Sequence, residues 1–217
     1  MTIIIRIVKL FLLICTLAFF IQASCNKNET KACYNFTPYS FAVTFQLLNE
    51  REVYNVNDTI TLISSFPKIL TDYSSLNPTE INYGNSAGIT GNLGAGFIDS
   101  INHRFIDAVD SFLLISVIGS VIDDTGSPAS ARSFYYEESD TSYELKFFII
   151  PKKRGNYIIG ISDLASKGLR GMDCTNAGFS VVVTNANKHF DILLNASIPG
   201  VSLDQSRIDH SYCFRVQ

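Results

Sequence analysis

The stretch whose residue types could do chemistry is Val121-Ile-Asp-Asp-Thr-Gly-Ser127. A carboxylate at Asp124, held on a glycine turn beside a second carboxylate that shares its proton, would activate water for hydrolysis. The chain holds no second Asp-Thr-Gly, so such a pair would need two copies of it. Asp123 stands where a strand residue would be apolar. Asp-Asp-Thr-Gly is also ordinary turn composition, since Asp bonds its own backbone and Gly accepts positive φ. Asp124 is thus the only catalytic candidate, set against a plain turn between strands. His103, His189 and His210 are scattered without ligand spacing, and Asp99, Asp107, Asp110, Asp123 and Asp124 lack the order of a calcium loop. No metal and no cofactor is expected. Gly91-Asn-Leu-Gly94-Ala-Gly96 has no Lys-Ser/Thr behind it and reads as a surface loop at a binding edge.

Residues 1–24 read as an export signal outside the fold. Arg6 and Lys9 form a basic start, and Leu10–Ile21 is apolar and uncharged, too short to span a bilayer stably. Ala23-Ser24-Cys25 resembles the lipobox of bacterial lipoproteins, in which small residues precede a Cys that is acylated and becomes residue one. Gln22 departs from the usual Leu three positions before that Cys. The resemblance implies lipidation at Cys25, attachment to the membrane through a lipid anchor, and a place in the bacterial cell envelope, at the outer membrane or cell surface. Residues 25–32 then form the lipidated Cys and a polar tether, and residues 33–217 a single domain. Four triplets beginning at Asn28, Asn35, Asn57 and Asn195 fit N-glycosylation, but the Cys at the cleavage point decides for a bacterial lipoprotein. Val121–Ser127 and Ile158-Ile-Gly160 also resemble the catalytic loop and supporting segment of aspartic proteases, although the 34-residue spacing from Gly126 to Gly160 is short for that fold.

The 217 residues are 47% hydrophobic and 12% aromatic, with 16 Phe, 10 Tyr and no Trp, a composition that suits one pleated, well-filled core. A net charge of −3 argues against nucleic acid as a partner. Tyr39–Leu47 alternates with period two and predicts a half-buried strand. Tyr143–Ile150 and Tyr157–Ile161, separated by Pro151-Lys-Lys-Arg-Gly-Asn156, predict the arms of a hairpin. Thr59–Ser64, Ser111–Ile118 (read as buried), Gly178–Val183 and Ser211–Val216 add strands, and Leu70–Gly96 reads as irregular. Asn185-Ala-Asn187 is expected to cap a short helix over Lys188–Asn195, with another helical turn within Ile198–Asp209. With Cys15 lost and Cys25 acylated, three thiols remain. Cys174–Cys213 is the expected disulfide, with Cys33–Cys213 the alternative.

The fold class that follows is all-β with minor α: an antiparallel immunoglobulin-like β-sandwich with one or two short helices near the C-terminus. Gln22–Cys25, Asn57–Pro67 and Tyr143–Tyr157 together resemble small Bacteroidota lipoproteins carrying an immunoglobulin-like domain. That resemblance implies a lipid-anchored surface protein and carries no activity with it. The expectation is a non-enzymatic module that binds a protein or glycan ligand. The alternatives are a structural pilus or surface-assembly subunit, or an aspartic-type hydrolase centred on Asp124.

Overall fold

Alternation along Tyr39–Leu48 (β1) places Phe41, Val43, Phe45 and Leu47 on one buried face and Ala42, Thr44 and Gln46 on the exposed one. The computed structural model describes residues 38–122, 131–172, 174–200 and 202–217, within the compact unit Asn35–Gln217. The strands after β1 are β2 (Val53–Tyr54), β3 (Ile60–Pro67), β4 (Ile69–Asp72), β5 (Thr79–Asn82), β6 (Ile89–Asp99), β7 (Arg104–Asp107) and β8 (Phe112–Ile118). They continue as β9 (Ser120–Ile122), β10 (Ala131–Tyr135), β11 (Glu137–Glu138), β12 (Ser142–Pro151), β13 (Gly155–Ser166), β14 (Ala177–Val183) and β15 (Ser211–Val216). Two short helices, α1 (Asp191–Asn195) and α2 (Gln205–His210), interrupt the last connection.

Apart from β4 and β5, which pair with each other, these strands form two layers. One runs β9–β10–β6–β13–β14–β1, with β15 also on β13, β2 on β15 and β7 on β6; the other runs β1–β3–β12, with β8 and β11 on the far side of β12. Most pairs are antiparallel, while β1–β14 and β15–β2 are parallel. This is the sandwich expected from the sequence. Strand β1 is shared: Tyr39–Phe45 pairs with β14, and Gln46–Leu48 pairs with β3 in the other layer. Aromatic rings lock the layers face to face, with Phe134 against Phe147 at 6.2 Å between centroids, Phe66 against Phe179 at 5.9 Å and Phe112 against Tyr157 at 4.9 Å. Phe134, Tyr136 and Tyr143 all serve this core. Buried tyrosine hydroxyls are answered: Tyr136 donates to Ser64 Oγ and Tyr143 to the Tyr83 carbonyl, both at 2.7 Å.

Several expectations change. Both arms of the expected hairpin are strands, yet they do not pair: β12 bonds β3, β8 and β11, whereas β13 bonds β6, β14 and β15. Each arm carries a row of large apolar residues, Tyr143, Leu145, Phe147 and Ile149 against Tyr157, Ile159 and Ile161. Placing the rows in facing layers buries both against each other. Gly155 makes the crossing at φ +150°, where a Cβ would sit 2.4 Å from the Phe97 ring. The segment read as irregular holds β4, β5 and most of β6. Strand β8 is only half-buried, because Leu113, Ile115 and Val117 face outward.

The expected helix cap is also replaced. Asn185 Oδ1 accepts from Leu47 N at 2.9 Å and its Nδ2 donates to Leu47 O at 2.8 Å. The side-chain amide thus carries the β1 ladder on from Phe45 to Leu47, two residues beyond the end of β14. Helix α1 has no side-chain cap. Cys213 is free and buried in β15, packed with Ile98, Ile192, Leu193 and Ala196, so neither Cys174–Cys213 nor Cys33–Cys213 forms. The thiol points under α1, while Cys174 lies in the loop between β13 and β14 and is itself disulfide-bonded. Cys25 and Cys33 lie outside the described residues.

Two outcomes are expected. Asn185→Ala leaves both main-chain groups of Leu47 unanswered in a buried place and should cost about 2–3 kcal/mol in denaturant unfolding. Burial, with the Asp191 charge second, pushes the Cys213 thiol up to about 12, so it should resist alkylation in the native protein and react fully, without reductant, once unfolded.

Candidate functional site

The described residues contain one large groove, of about 630 Å³, on the outer face of the β6–β13 layer. Strand periodicity builds its floor. Leu93 and Ala95 point into the core, so Asn92, Gly94 and Gly96 point outward; on β13, Tyr157, Ile159 and Ile161 point in and Ile158, Gly160 and Ser162 point out. The register sets Gly94 opposite Gly160 and Gly96 opposite Ile158. Three glycines on one face open a shallow trough, with the Ile158 and Phe105 side chains beside Gly96 and Ser211 Oγ beside Gly160.

One wall is α2, whose position has a local cause. Asp204 caps it by accepting from Arg207 N at 2.8 Å. Lys188 Nζ reaches the other end, donating to the Ile208 and Asp209 carbonyls. Burial lowers the pKa of this ammonium, while the Asp209 carboxylate works in the opposite direction. Arg207 then lies over the Phe105 ring, 5.9 Å from its centroid, and so joins α2 to the opposite wall on β7. The rim carries Asp107, Asp163 and Asp204 against the single guanidinium of Arg207, with His210 alongside. Asp163 sits at φ +52°, accepting from Asn92 Nδ2 at 3.2 Å and Ser162 Oγ at 3.0 Å. The groove is therefore rich in acceptors and holds an excess of negative charge, a poor setting for phosphate or another anion and a good one for hydroxyl, amide or ammonium groups.

Asp124, the catalytic candidate, lies outside the described residues. Gly160, read as part of a protease-like support, belongs to the groove floor. The histidines stay apart in role: His103 Nδ1 is 2.7 Å from the Ala196 carbonyl, His189 stacks edge-on against Tyr212, and only His210 reaches the groove. Asp99 is consumed by its own turn, accepting from Ile101 N, Asn102 N and Asn102 Nδ2 and pairing with Arg104. Asp110 pairs with Arg132. Among the described residues no group of three or more His, Cys, Asp or Glu side chains could hold a metal ion, and no helix is long and apolar enough to cross a membrane. The signal for the groove was present in Asn92-Leu-Gly94-Ala-Gly96, where polar or glycine residues alternate with apolar ones.

No protein-family model and no curated protein matches the sequence. Among solved structures the chain is similar to the reeler domain of human F-spondin, with 10% identity and a TM-score of 0.32 over 67% of this chain and 87% of that one. It is similar to a type II cohesin domain from the cellulosome of Acetivibrio cellulolyticus, with 10% identity and a TM-score of 0.28 over 65% and 92%. A third likeness is to the serine-rich repeat adhesion glycoprotein Srr1 of Streptococcus agalactiae, with 14% identity and a TM-score of 0.20 over 62% and 44%. Similarity at this level says nothing about a ligand, and the groove has to speak for itself.

Lys188→Met removes the donor that closes the last turn of α2. Amide exchange across Gln205–His210 should quicken about tenfold, the equivalent of one lost hydrogen bond, while exchange in β12 stays unchanged.

Proposed function

We propose that this protein is a lipid-anchored module of the bacterial cell envelope that binds a ligand and performs no catalysis. The ligand, a glycan or a segment of protein, is uncharged or cationic and lies in the groove. The observation that carries this reading is the glycine floor, where Gly94, Gly96 and Gly160 line a trough between two walls. A sugar ring or an extended peptide can lie flat on such a floor. Phe105 and Ile158 supply apolar contact, and Asn92, Asp107 and Asp163 supply acceptors at the rim. The anchor rests on Ala23-Ser24-Cys25 behind the apolar run Leu10–Ile21. A second reading, a structural subunit of a surface assembly, is favoured by one observation, the uncharged edge of β8.

Titration of the protein against neutral and amino-sugar glycans and against basic peptides tests the reading. One of these classes should bind, and the exposed charge reversals Asp107→Arg and Asp163→Arg together should weaken it at least about tenfold, in line with the loss of a charged contact, while Asp107→Arg alone, at an exposed strand position, weakens it with the melting temperature held. Binding that ignores both reversals sinks the groove assignment. Acid-optimum hydrolysis abolished by Asp124→Ala would replace the binding reading with an enzymatic one. The intact mass from the membrane fraction should correspond to cleavage before Cys25 plus acyl chains; an unacylated mass removes the anchor.

A further inference from the structure

Strand β8 is unlike the other edges of the sandwich. Among the described residues it pairs only with β12, and Leu113, Ile115 and Val117 are 43%, 41% and 45% exposed. The outward residues of β12 extend the apolar surface, because Ile150 lies opposite Leu113 and Phe148 opposite Ile115. Proteins protect edges with charges, prolines or covering segments, because an open row of N–H and C=O groups recruits another strand. The other described one-sided strands of four or more residues carry that protection: Asp72 in β4, Glu80 in β5, Arg104 and Asp107 in β7. Strand β8 carries no charge and no proline, and Ser111–Ile122 holds no charged residue at all; its register against β12 shifts by one residue between Ser116 and Ile118. The regular run Phe112–Ser116, uncharged and with apolar side chains beside it, offers an open edge for pairing.

We infer that two copies of the chain join edge to edge through β8, antiparallel and centred on Ile115, as a two-fold dimer. In that register Ile115 meets its own counterpart and Leu113 comes beside Val117 of the second copy, at the register shift, so each outward apolar side chain finds an apolar neighbour. The charges at the strand ends select the same arrangement. Lys152 N donates to the Ser111 carbonyl at one end of β8, and Glu137 Oε2 accepts from Gly119 N at the other. Centring on Ile115 sets Ser111 opposite Gly119 of the second copy, which turns Lys152 toward the opposite copy's Glu137. Glu137 stands on β11, in line with β8 on the same side of β12, so the two backbones are then two strand spacings apart, about 10 Å, near enough for the extended side chains to attract. Parallel pairing would set Lys152 toward its own counterpart and is disfavoured. The grooves lie on the other layer and stay open, so the dimer displays two of them. A seven-residue strand makes a small interface, so the association is a reversible one.

Cysteine crosslinking in the full-length protein in its membranes tests the register. In Ile115→Cys the two Cα atoms lie about 5 Å apart, within disulfide range, so air oxidation should shift the chain to a band of twice its mass on a non-reducing gel. Leu113→Cys alone should stay monomeric, its counterparts being about 14 Å apart, and should crosslink when co-expressed with Val117→Cys. Ile115→Lys should abolish crosslinking by Val117→Cys with Leu113→Cys, with the melting temperature unchanged. The inference is overturned if Ile115→Cys stays monomeric, if it crosslinks to a different protein, or if Ile101→Cys, exposed elsewhere, dimerises as well. None of these outcomes depends on the groove or on its ligand.

Discussion

Strand β1 belongs to both sheets, and the sandwich depends on that handover. Its first seven residues are held by β14 and its last three by β3. A single strand cannot serve two layers unless the backbone groups at the junction find partners as one neighbour leaves and the other arrives. Thr184 N and its hydroxyl take the Phe45 carbonyl, and the Asn185 side chain takes both main-chain groups of Leu47. The amide stands in for a missing strand residue at the place where water is excluded, so no buried polar group is stranded. From that junction the two layers diverge with a fixed spacing, and the aromatic core fills what lies between them.

The core is built for this geometry. Phe and Tyr rings from opposing layers meet edge-on or tilted, and the tyrosine hydroxyls reach hydroxyls or carbonyls at the margin. Burial raises the Tyr143 pKa to about 12, with a bond from the Ser86 N–H opposing it, which keeps the hydroxyl a neutral donor at any physiological pH. Tyr143 and Ser86 also tie the loop after β5 to β12. A packed aromatic core of this kind holds the outer faces rigid, and it is on those faces that the sequence spends residues with no role in packing.

The two outer faces are specialised differently. One is emptied of side chains by glycine and walled by α2 and β7, giving concavity and acceptors. The other ends in an apolar, uncharged edge at β8. Concavity suits a ligand with a few polar groups, whereas an open strand edge suits another strand. Neither feature helps the chain to fold: glycine weakens a strand, and exposed Leu, Ile and Val gain nothing from water. Their placement on opposite sides lets the chain pair with a copy of itself without obstructing the groove.

Period-two alternation made β1, β12, β13 and β14 legible in the sequence, along with the face each would bury, because alternation is a local property of a strand half in contact with a core. The all-β class, the aromatic core and the helices before the last strand followed from the same local signals. Pairing is not local. The spacing of Tyr143–Ile150 and Tyr157–Ile161 is that of a hairpin, and only burial of both rows against one another sends the arms to different layers. Leu113, Ile115 and Val117 look like core residues to any reading of composition, since a strand's sequence does not say whether its second face will be covered. The glycines of β6 resemble a loop until Gly160 arrives opposite Gly94 from a strand 66 residues further on, turning gaps in two separate strands into one floor. Cys213 had the spacing of a disulfide partner, and the fold decided otherwise by closing α1 over it.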